Sequence, residues 1–132
     1  MTYTLKREIP VEDGYDVVVA GGGPAGSAAA ICAARLGARV LLLEAQGCLG
    51  GMGTSGMVCA YDPMADGEKM LVGGFMRELI ETLYARGFTG PRTPPESWRS
   101  KYMCWTNFRP EGLKLVLDEL VVKELSLIHI SE

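Results

Sequence analysis

Residues 15–51 read YDVVVAGGGPAGSAAAICAARLGARVLLLEAQGCLGG, and this stretch decides the fold. A short apolar run, Val17 to Ala20, leads into a glycine-rich turn that spans Gly21 to Gly26. The turn opens a helix of small residues, which we predict from Pro24 to Leu36 because alanine favours helix. Gly37 follows, and a glycine at this position commonly ends a helix.

A second apolar run, Val40 to Leu43, follows the helix and ends on the acid Glu44. The whole stretch therefore predicts a strand–turn–helix–strand unit. Within it the glycines have the spacing Gly21-x-Gly23-x-x-Gly26, which is the fingerprint of dinucleotide binding when it joins a strand to a helix.

Each glycine of the fingerprint has its own physical role. Gly21 tolerates the backbone angles of a tight turn because it has no Cβ atom. Gly23 lets a pyrophosphate approach the backbone, and Gly26 lets the helix pack close to the strand. The free N–H groups and the dipole at the helix start attract negative charge, and Pro24 suits the first helical position.

Glu44 lies near the spacing, roughly 20 residues after the glycines, at which an acid hydrogen-bonds to ribose hydroxyl groups. A carboxylate at this position disfavours a 2′-phosphate by charge repulsion. The phosphorylated nicotinamide cofactor is therefore not expected here.

A second glycine-rich loop, GCLGGMGTSG at residues 47–56, follows the acid and lets the backbone run alongside an extended dinucleotide. With GGGPAG, Glu44 and LGGMGTSGMV, the sequence resembles the FAD-dependent oxidoreductases whose flavin domain is like that of glutathione reductase. It is most similar to the branch that includes the flavoprotein subunit of heterodisulfide reductase, including the leader REIPVEDGYDVVVAGGGPAG.

The resemblance implies an α/β fold: an incomplete Rossmann-like FAD/NAD(P)-binding domain, with a parallel sheet of order 3-2-1 flanked by helices and joined by right-handed crossovers. It implies FAD as the cofactor, with the adenosine on Glu44 and the pyrophosphate on the first glycine turn. The residues expected to bind FAD are Gly21, Gly23, Pro24, Ala25, Gly26, Glu44, Ala45, Gly50, Gly51, Met52 and Thr54.

Two alternatives remain at this point. The first is the NAD-binding domain of a dehydrogenase, against which the pair Gly50-Gly51 and the lack of nicotinamide-side residues speak. The second is a truncated fragment without activity of its own, since the resembled enzymes need a substrate domain and a returning C-terminal segment. We therefore expect the 132 residues by themselves to bind FAD weakly or not at all. No general base or nucleophile is indicated, so no catalytic residue is assigned.

The net charge and the distribution of apolar residues exclude some classes of binding partner. A net charge of −3 provides no electrostatic footprint for nucleic acid or an anionic membrane surface. No apolar run approaches the ~18 residues of a membrane span, and the start has no secretory apolar region, so we expect a cytoplasmic protein. By resemblance, the partner of the full-length protein is a small-molecule substrate or an electron carrier.

Four cysteines, at positions 32, 48, 59 and 104, show no C-x-x-C spacing and predict no metal site. The resemblance allows an iron–sulfur cluster in the full-length protein, but its ligands are not in this sequence. We interpret Cys32, on the first helix, and Cys48, in the glycine loop, as small packing residues.

Two more helices are predicted, over residues 73–86 and 111–124, from apolar residues at helical spacing. Between them, Thr89 to Pro110 is irregular and rich in proline and aromatic residues. The resemblance implies that its aromatic side chains cover the flavin; the alternative is that they pack on other parts of a longer protein. They are Trp98, Tyr102, Trp105 and Phe108.

The chain ends differently from the resembled pattern, which predicts a glycine turn and a strand after Glu124. Residues 125–132 read LSLIHISE and resemble a translated sequencing-adaptor tail. We therefore divide the chain into residues 1–124, the N-terminal part of an FAD-binding domain, and residues 125–132, a suspected non-native tail. Leu127 to Ile130 are nevertheless β-prone enough to occupy the third strand. His129 is assigned no chemistry.

Overall fold

The computed structural model describes residues 1–11, 13–66, 68–90, 105–124 and 128–130. Helices and short strands alternate along these residues, as the α/β prediction requires. The elements are β1 (Val17–Ala20), α1 (Pro24–Arg35), β2 (Val40–Glu44), β3 (Ala60–Tyr61), α2 (Phe75–Ala85), β4 (Thr106–Asn107), α3 (Pro110–Glu124) and β5 (Ile128–Ile130). A single 3₁₀ turn covers Gly51–Gly53.

The main sheet is parallel and has the order β1-β2-β5, which confirms the predicted order 3-2-1. Val17 pairs with Val40 at one end of β1, and Leu42 pairs with Ile128 on the other side of β2. The suspected tail thus supplies the third strand. The non-native origin of residues 125–132 stays a prediction.

The hydrophobic core lies between one face of this sheet and the three helices. Val40 and Leu42 of β2 are buried against side chains of α1, α2 and α3. The predicted apolar stripes of the last two helices are confirmed. Their buried members are Leu79, Ile80 and Leu83 in α2 and Leu113, Val116, Leu117 and Val121 in α3.

The ends of α1 and α2 differ from the predicted ends by one or two residues. The first helix ends at Arg35, and Gly37 has φ +87, so it stops the helix as predicted. The second helix begins at Phe75, directly after Gly74 with φ +59. Only glycine adopts these left-handed angles at little cost.

The interpretation of Cys32 as a packing residue is wrong, because its side chain is exposed. The buried side chains of α1 are Ser27, Ala30 and Ile31, which share one helical face. Cys32 follows Ile31 and lies about 100° further around the helix, toward solvent.

A small antiparallel sheet was not predicted. It pairs Ala60 with Asn107 and Tyr61 with Thr106, far apart in sequence. Through it the aromatic stretch reaches the core: Phe108 is buried, and its ring lies 4.6 Å from the ring of Tyr61. Phe108 therefore packs within this chain, unlike either predicted role, while Trp105 is half exposed.

Other predictions fall on residues that the structure does not describe. These are the ones that concern Pro91, Pro94, Pro95, Trp98, Tyr102, Cys104, residues 125–127 and residues 131–132. In the described part of the chain, no helix has the length and apolar character needed to cross a membrane.

Candidate functional site

The glycine turn lies at the carboxyl end of β1, where α1 begins. Gly21 has φ +99, and its N–H donates to the carbonyl of Leu43 over 2.7 Å, which extends the pairing of the two strands by one bond. The chain then turns sharply into the helix. The predicted strand–turn–helix junction is therefore present.

Gly26 brings the helix against the turn. A Cβ atom at this position would lie 1.8 Å from the carbonyl oxygen of Gly21 and 3.3 Å from a methyl group of Val19. Real Cβ atoms do not approach a backbone oxygen so closely, so any larger residue would force α1 away from β1. This confirms the close-packing role predicted for Gly26.

Gly23 has open space around it. A Cβ atom there would have no neighbour within 4 Å. It is the N-cap residue of α1, and no side chain caps the helix. The first N–H groups of a helix have no acceptor within it, and these donors and the positive end of the helix dipole lie at the same end of α1 as this open space. Such a place suits an anion.

Glu44 ends β2 beside the same turn. One carboxylate oxygen accepts a hydrogen bond from the N–H of Gly22 over 2.6 Å, and the other accepts from the N–H of Gln46 over 2.8 Å. A carboxylate oxygen has two acceptor positions, so each oxygen keeps one for a ligand hydroxyl group. The side chain is partly buried.

An open groove of about 320 Å³ adjoins this carboxylate. Its lining combines the ends of the two strands with the residue after Glu44. The lining residues are Ala20, Gly21, Leu43, Glu44 and Ala45. The groove thus lies on the strand side of the glycine turn, next to the proposed ribose-binding acid.

The second glycine loop packs against the first. The N–H of Gly50 donates to the carbonyl of Gly22 over 2.8 Å. A Cβ atom on Gly51 would lie 3.0 Å from the Cα atom of Gly23 and 3.5 Å from the ring of Pro24. The structure therefore brings together residues that are about 27 positions apart in the chain, as a shared cofactor site requires.

The remaining predicted residues differ in how accessible they are. Ala25, Ala45 and Met52 are exposed close to the two loops. Thr54 is fully buried, and its hydroxyl group donates to the carbonyl of Leu49 over 2.7 Å. Its side chain thus holds the loop together, and contact of Thr54 with a cofactor stays a prediction.

Gly22 was missed by the sequence reasoning, although it connects all parts of the site. Its carbonyl accepts from Gly50 and also from the buried hydroxyl group of Ser27, over 2.8 Å. A Cβ atom there would meet Leu49 at 2.4 Å and the carboxylate of Glu44 at 3.1 Å. Two signals were available: the middle glycine of the GGG run, which the fingerprint itself does not require, and a serine among the alanines of the helix.

Met57 was also missed. It is the non-glycine residue with positive φ, +58, among the described residues, and its side chain is exposed. Such a backbone angle is uncommon outside glycine and occurs often at functional sites. The N–H groups of Met57 and Val58 donate to the carbonyls of Thr54 and Met52, which fixes the end of the glycine loop.

Three cysteines are described, and all are free thiols. The sulfur of Cys48 lies 3.3 Å from the hydroxyl oxygen of Ser55 in the glycine loop. Within the described ranges, no group of three or more His, Cys, Asp or Glu side chains is arranged to hold a metal ion.

The geometry fits the ADP part of FAD. The start of α1 is open at Gly23, and the Glu44 carboxylate, with an unused acceptor position on each oxygen, lies across the turn from it. The carboxylate also borders the open groove of about 320 Å³.

Comparisons with known proteins concern the family and the fold. A family model described as FAD dependent oxidoreductase matches residues 16–131. Dihydrolipoyl dehydrogenase of Trypanosoma brucei brucei is 52% identical over 47 residues, which are 36% of this chain and 10% of that protein. The crystal structure of THI4 from Thermovibrio ammonificans has a similar fold, with a TM-score of 0.54 and 18% identity over 88% of this chain. The chain spans only 38% of THI4 and a tenth of the dihydrolipoyl dehydrogenase.

Proposed function

The chain belongs to the FAD dependent oxidoreductase family, and from this premise we propose that its glycine turn and Glu44 hold the ADP part of FAD. Membership of the family selects FAD over the alternative of a nicotinamide dinucleotide. The observation that carries the assignment of residues is the open space at Gly23, at the start of α1 and opposite a carboxylate.

The diphosphate is assigned to the helix start. Gly21, Gly23 and Gly26 shape a turn that presents backbone rather than side chains, and Pro24 and Ala25 begin the helix. N–H groups without internal acceptors and the helix dipole both favour a doubly charged diphosphate. No basic side chain is needed for this.

The ribose of the adenosine is assigned to Glu44, and its base to the groove lined by Ala20 and Ala45. A carboxylate accepts hydrogen bonds from both ribose hydroxyl groups. It would repel a 2′-phosphate. The bond from Gly22 fixes the carboxylate relative to the turn, so sugar and diphosphate are bound at a set separation.

The second loop is assigned to the part of FAD between the diphosphate and the flavin. Gly50 donates to the carbonyl of Gly22, and Gly51 lies against Gly23 and Pro24, so a ligand that leaves the turn on this side passes along them. Met52 and Thr54 follow directly. Bound FAD supplies hydride or electron transfer, and the residues of this chain bind and orient it.

For the whole protein we propose oxidoreduction of a small molecule or of an electron carrier. Residues 1–124 form part of the FAD-binding domain in this proposal. The cytoplasmic location expected from the sequence stays a prediction, as do the non-native tail and any iron–sulfur cluster of a longer protein.

The ribose assignment is tested by titrating ADP and 2′,3′-dideoxy-ADP into the ¹⁵N-labelled chain, followed by amide chemical shifts. The wild type should bind ADP roughly 10-fold or more tightly than the dideoxy compound, because hydrogen bonds to a charged group contribute about 1.5–3 kcal/mol. In Glu44→Gln the preference for ADP should become clearly smaller, because the amide oxygen still accepts hydrogen bonds but carries no charge.

The ratio of the ADP affinity to the dideoxy-ADP affinity distinguishes the loss of a ribose contact from damage to the glycine turn. Loss of the bond between Gly22 and Glu44 would weaken both ligands together and leave their ratio unchanged. Glu81→Gln, an exposed acid on α2 that pairs with Arg77, serves as the matched control and should keep the wild-type ratio. A wild-type ratio in Glu44→Gln would refute the assignment.

A further inference from the structure

A second cavity lies on the helical side of the glycine turn, away from the groove at Glu44. Its volume is about 220 Å³. It is bounded by the start of α1, by α2 and by α3. The residues that shape it include Pro24, Ala28, Tyr61, Phe75, Leu79 and Leu117.

The chemistry of the lining restricts what the cavity can hold. None of the described lining residues carries a charge, and all except Tyr61 lack a polar side-chain group. An apolar cavity of about 150 Å³ is large enough to bind benzene. A cavity of this size therefore suits one six-membered ring with a short substituent, in uncharged form.

Tyr61 is the exception. Its hydroxyl group has no hydrogen-bond partner among the described residues, although the ring packs on Phe108. Burial raises the pKa of Tyr61 to about 12, so the group is a neutral donor at neutral pH. A partly buried hydroxyl group without a protein partner requires water or a ligand acceptor.

We propose that this cavity binds a neutral single-ring molecule with one hydrogen-bond acceptor, such as an aromatic carbonyl compound, and that Tyr61 donates to the acceptor. Apolar walls with one placed polar group are typical of small-molecule sites. The walls supply most of the affinity by burying the ring, and the hydroxyl group selects for the acceptor.

The position of the cavity relates it to the cofactor. Pro24 and Gly50 line it and also belong to the two glycine loops. A ring bound there lies beside the path assigned to FAD, as a substrate of a flavin enzyme would. This substrate role rests on the proposed function. Binding to the cavity does not, and ADP titration of the same samples tests the cofactor site separately.

The test compares acetophenone with α-methylstyrene, which has nearly the same shape but no acceptor. Both are titrated into the ¹⁵N-labelled wild type and Tyr61→Phe, and amide shifts are followed. The two compounds differ in the free energy of transfer from water to the cavity. This difference cancels when the ratio of their affinities is compared between the wild type and Tyr61→Phe.

Relative to the wild type, Tyr61→Phe should lower the preference for acetophenone by roughly 3- to 10-fold, the effect of one neutral hydrogen bond. The variant keeps the aromatic ring and loses an unpaired hydroxyl group, so it should fold. Ala28→Leu, which fills the cavity from α1, should abolish binding of both compounds. Ala29→Leu, on the exposed face of the same helix, should leave it unchanged.

Three outcomes would overturn the proposal. One is the absence of saturable shifts at cavity residues with either compound. Another is an unchanged affinity ratio in Tyr61→Phe, which would mean that the hydroxyl group contacts only water. The third is wild-type binding in Ala28→Leu, which would place the ligand elsewhere.

Discussion

Replacement of Gly23 by alanine separates cofactor binding from folding. Gly23 has φ −64 and ψ −175, an extended backbone that alanine adopts without strain, and the added methyl group has no neighbour within 4 Å. Alanine is a poorer N-cap than glycine by roughly 1 kcal/mol, but it lowers the entropy of the unfolded chain, which stabilises the fold by about 0.4–1 kcal/mol, so the two effects largely offset each other. The free energy of unfolding should therefore change by less than about 1 kcal/mol.

The same methyl group lies where the diphosphate is proposed to approach the backbone. Moving the ligand away by one methyl group removes at least one charge-assisted hydrogen bond, which contributes about 1.5–3 kcal/mol. The affinity for ADP should fall by roughly 10- to 150-fold. Urea unfolding measures the stability, and an amide-shift titration with ADP measures the affinity even where binding is weak.

Gly73→Ala is the matched control, because Gly73 lies outside both glycine loops and a Cβ atom there also meets nothing within 4 Å. This variant should keep both the stability and the ADP affinity. If Gly23→Ala folds normally and binds ADP like the wild type, the diphosphate does not approach this glycine, and the reasoning from open space is refuted.

Two further predictions concern the scaffold. Gly26→Ala should lower the free energy of unfolding by about 1–3 kcal/mol in urea unfolding, because its Cβ atom collides with the carbonyl of Gly21 and overpacking has this cost; a stability equal to that of the wild type would contradict the close packing. The guanidinium of Arg35 donates two hydrogen bonds to the Glu78 carboxylate, over 2.6 and 2.8 Å, and this lowers the pKa of Glu78. A lowered pKa stabilises the fold above the ordinary carboxyl pKa, and that contribution is lost as the pH falls through the lowered value. Because the Glu78 side chain is 41% exposed, we expect stability between about pH 7 and pH 3 to fall less in Glu78→Gln than in the wild type, by under about 1 kcal/mol; equal pH profiles would contradict this.

The elements of the first 44 residues follow from local sequence. The two apolar runs, the glycines and the alanine-rich segment each set the backbone over a few residues, and the observed bounds of β1 match the prediction. The third strand, Ile128–Ile130, lies within Leu127 to Ile130, which the sequence indicated as β-prone enough for that position. The stripes of α2 and α3 were equally visible, because their apolar residues recur at helical spacing.

The sequence predicted less well which face of a helix is buried. Cys32 was placed in the core because cysteine is often buried, but Ser27, Ala30 and Ile31 mark the buried face of α1 instead. A helix of nearly uniform small residues has a weak apolar stripe. Its rotation is therefore set by what it packs against.

The sequence by itself determined a nucleotide-binding junction, since the fingerprint and the acid are local patterns. Only the tertiary structure decided that Gly22 joins the parts of the site. Its N–H donates to the carboxylate of Glu44, and its carbonyl accepts hydrogen bonds from Ser27 and Gly50. It also decided that Tyr61 meets Phe108 at the wall of a second cavity. These contacts join residues from 5 to 47 positions apart in the chain. At most of these separations, two residues meet only once the sheet and helices have packed.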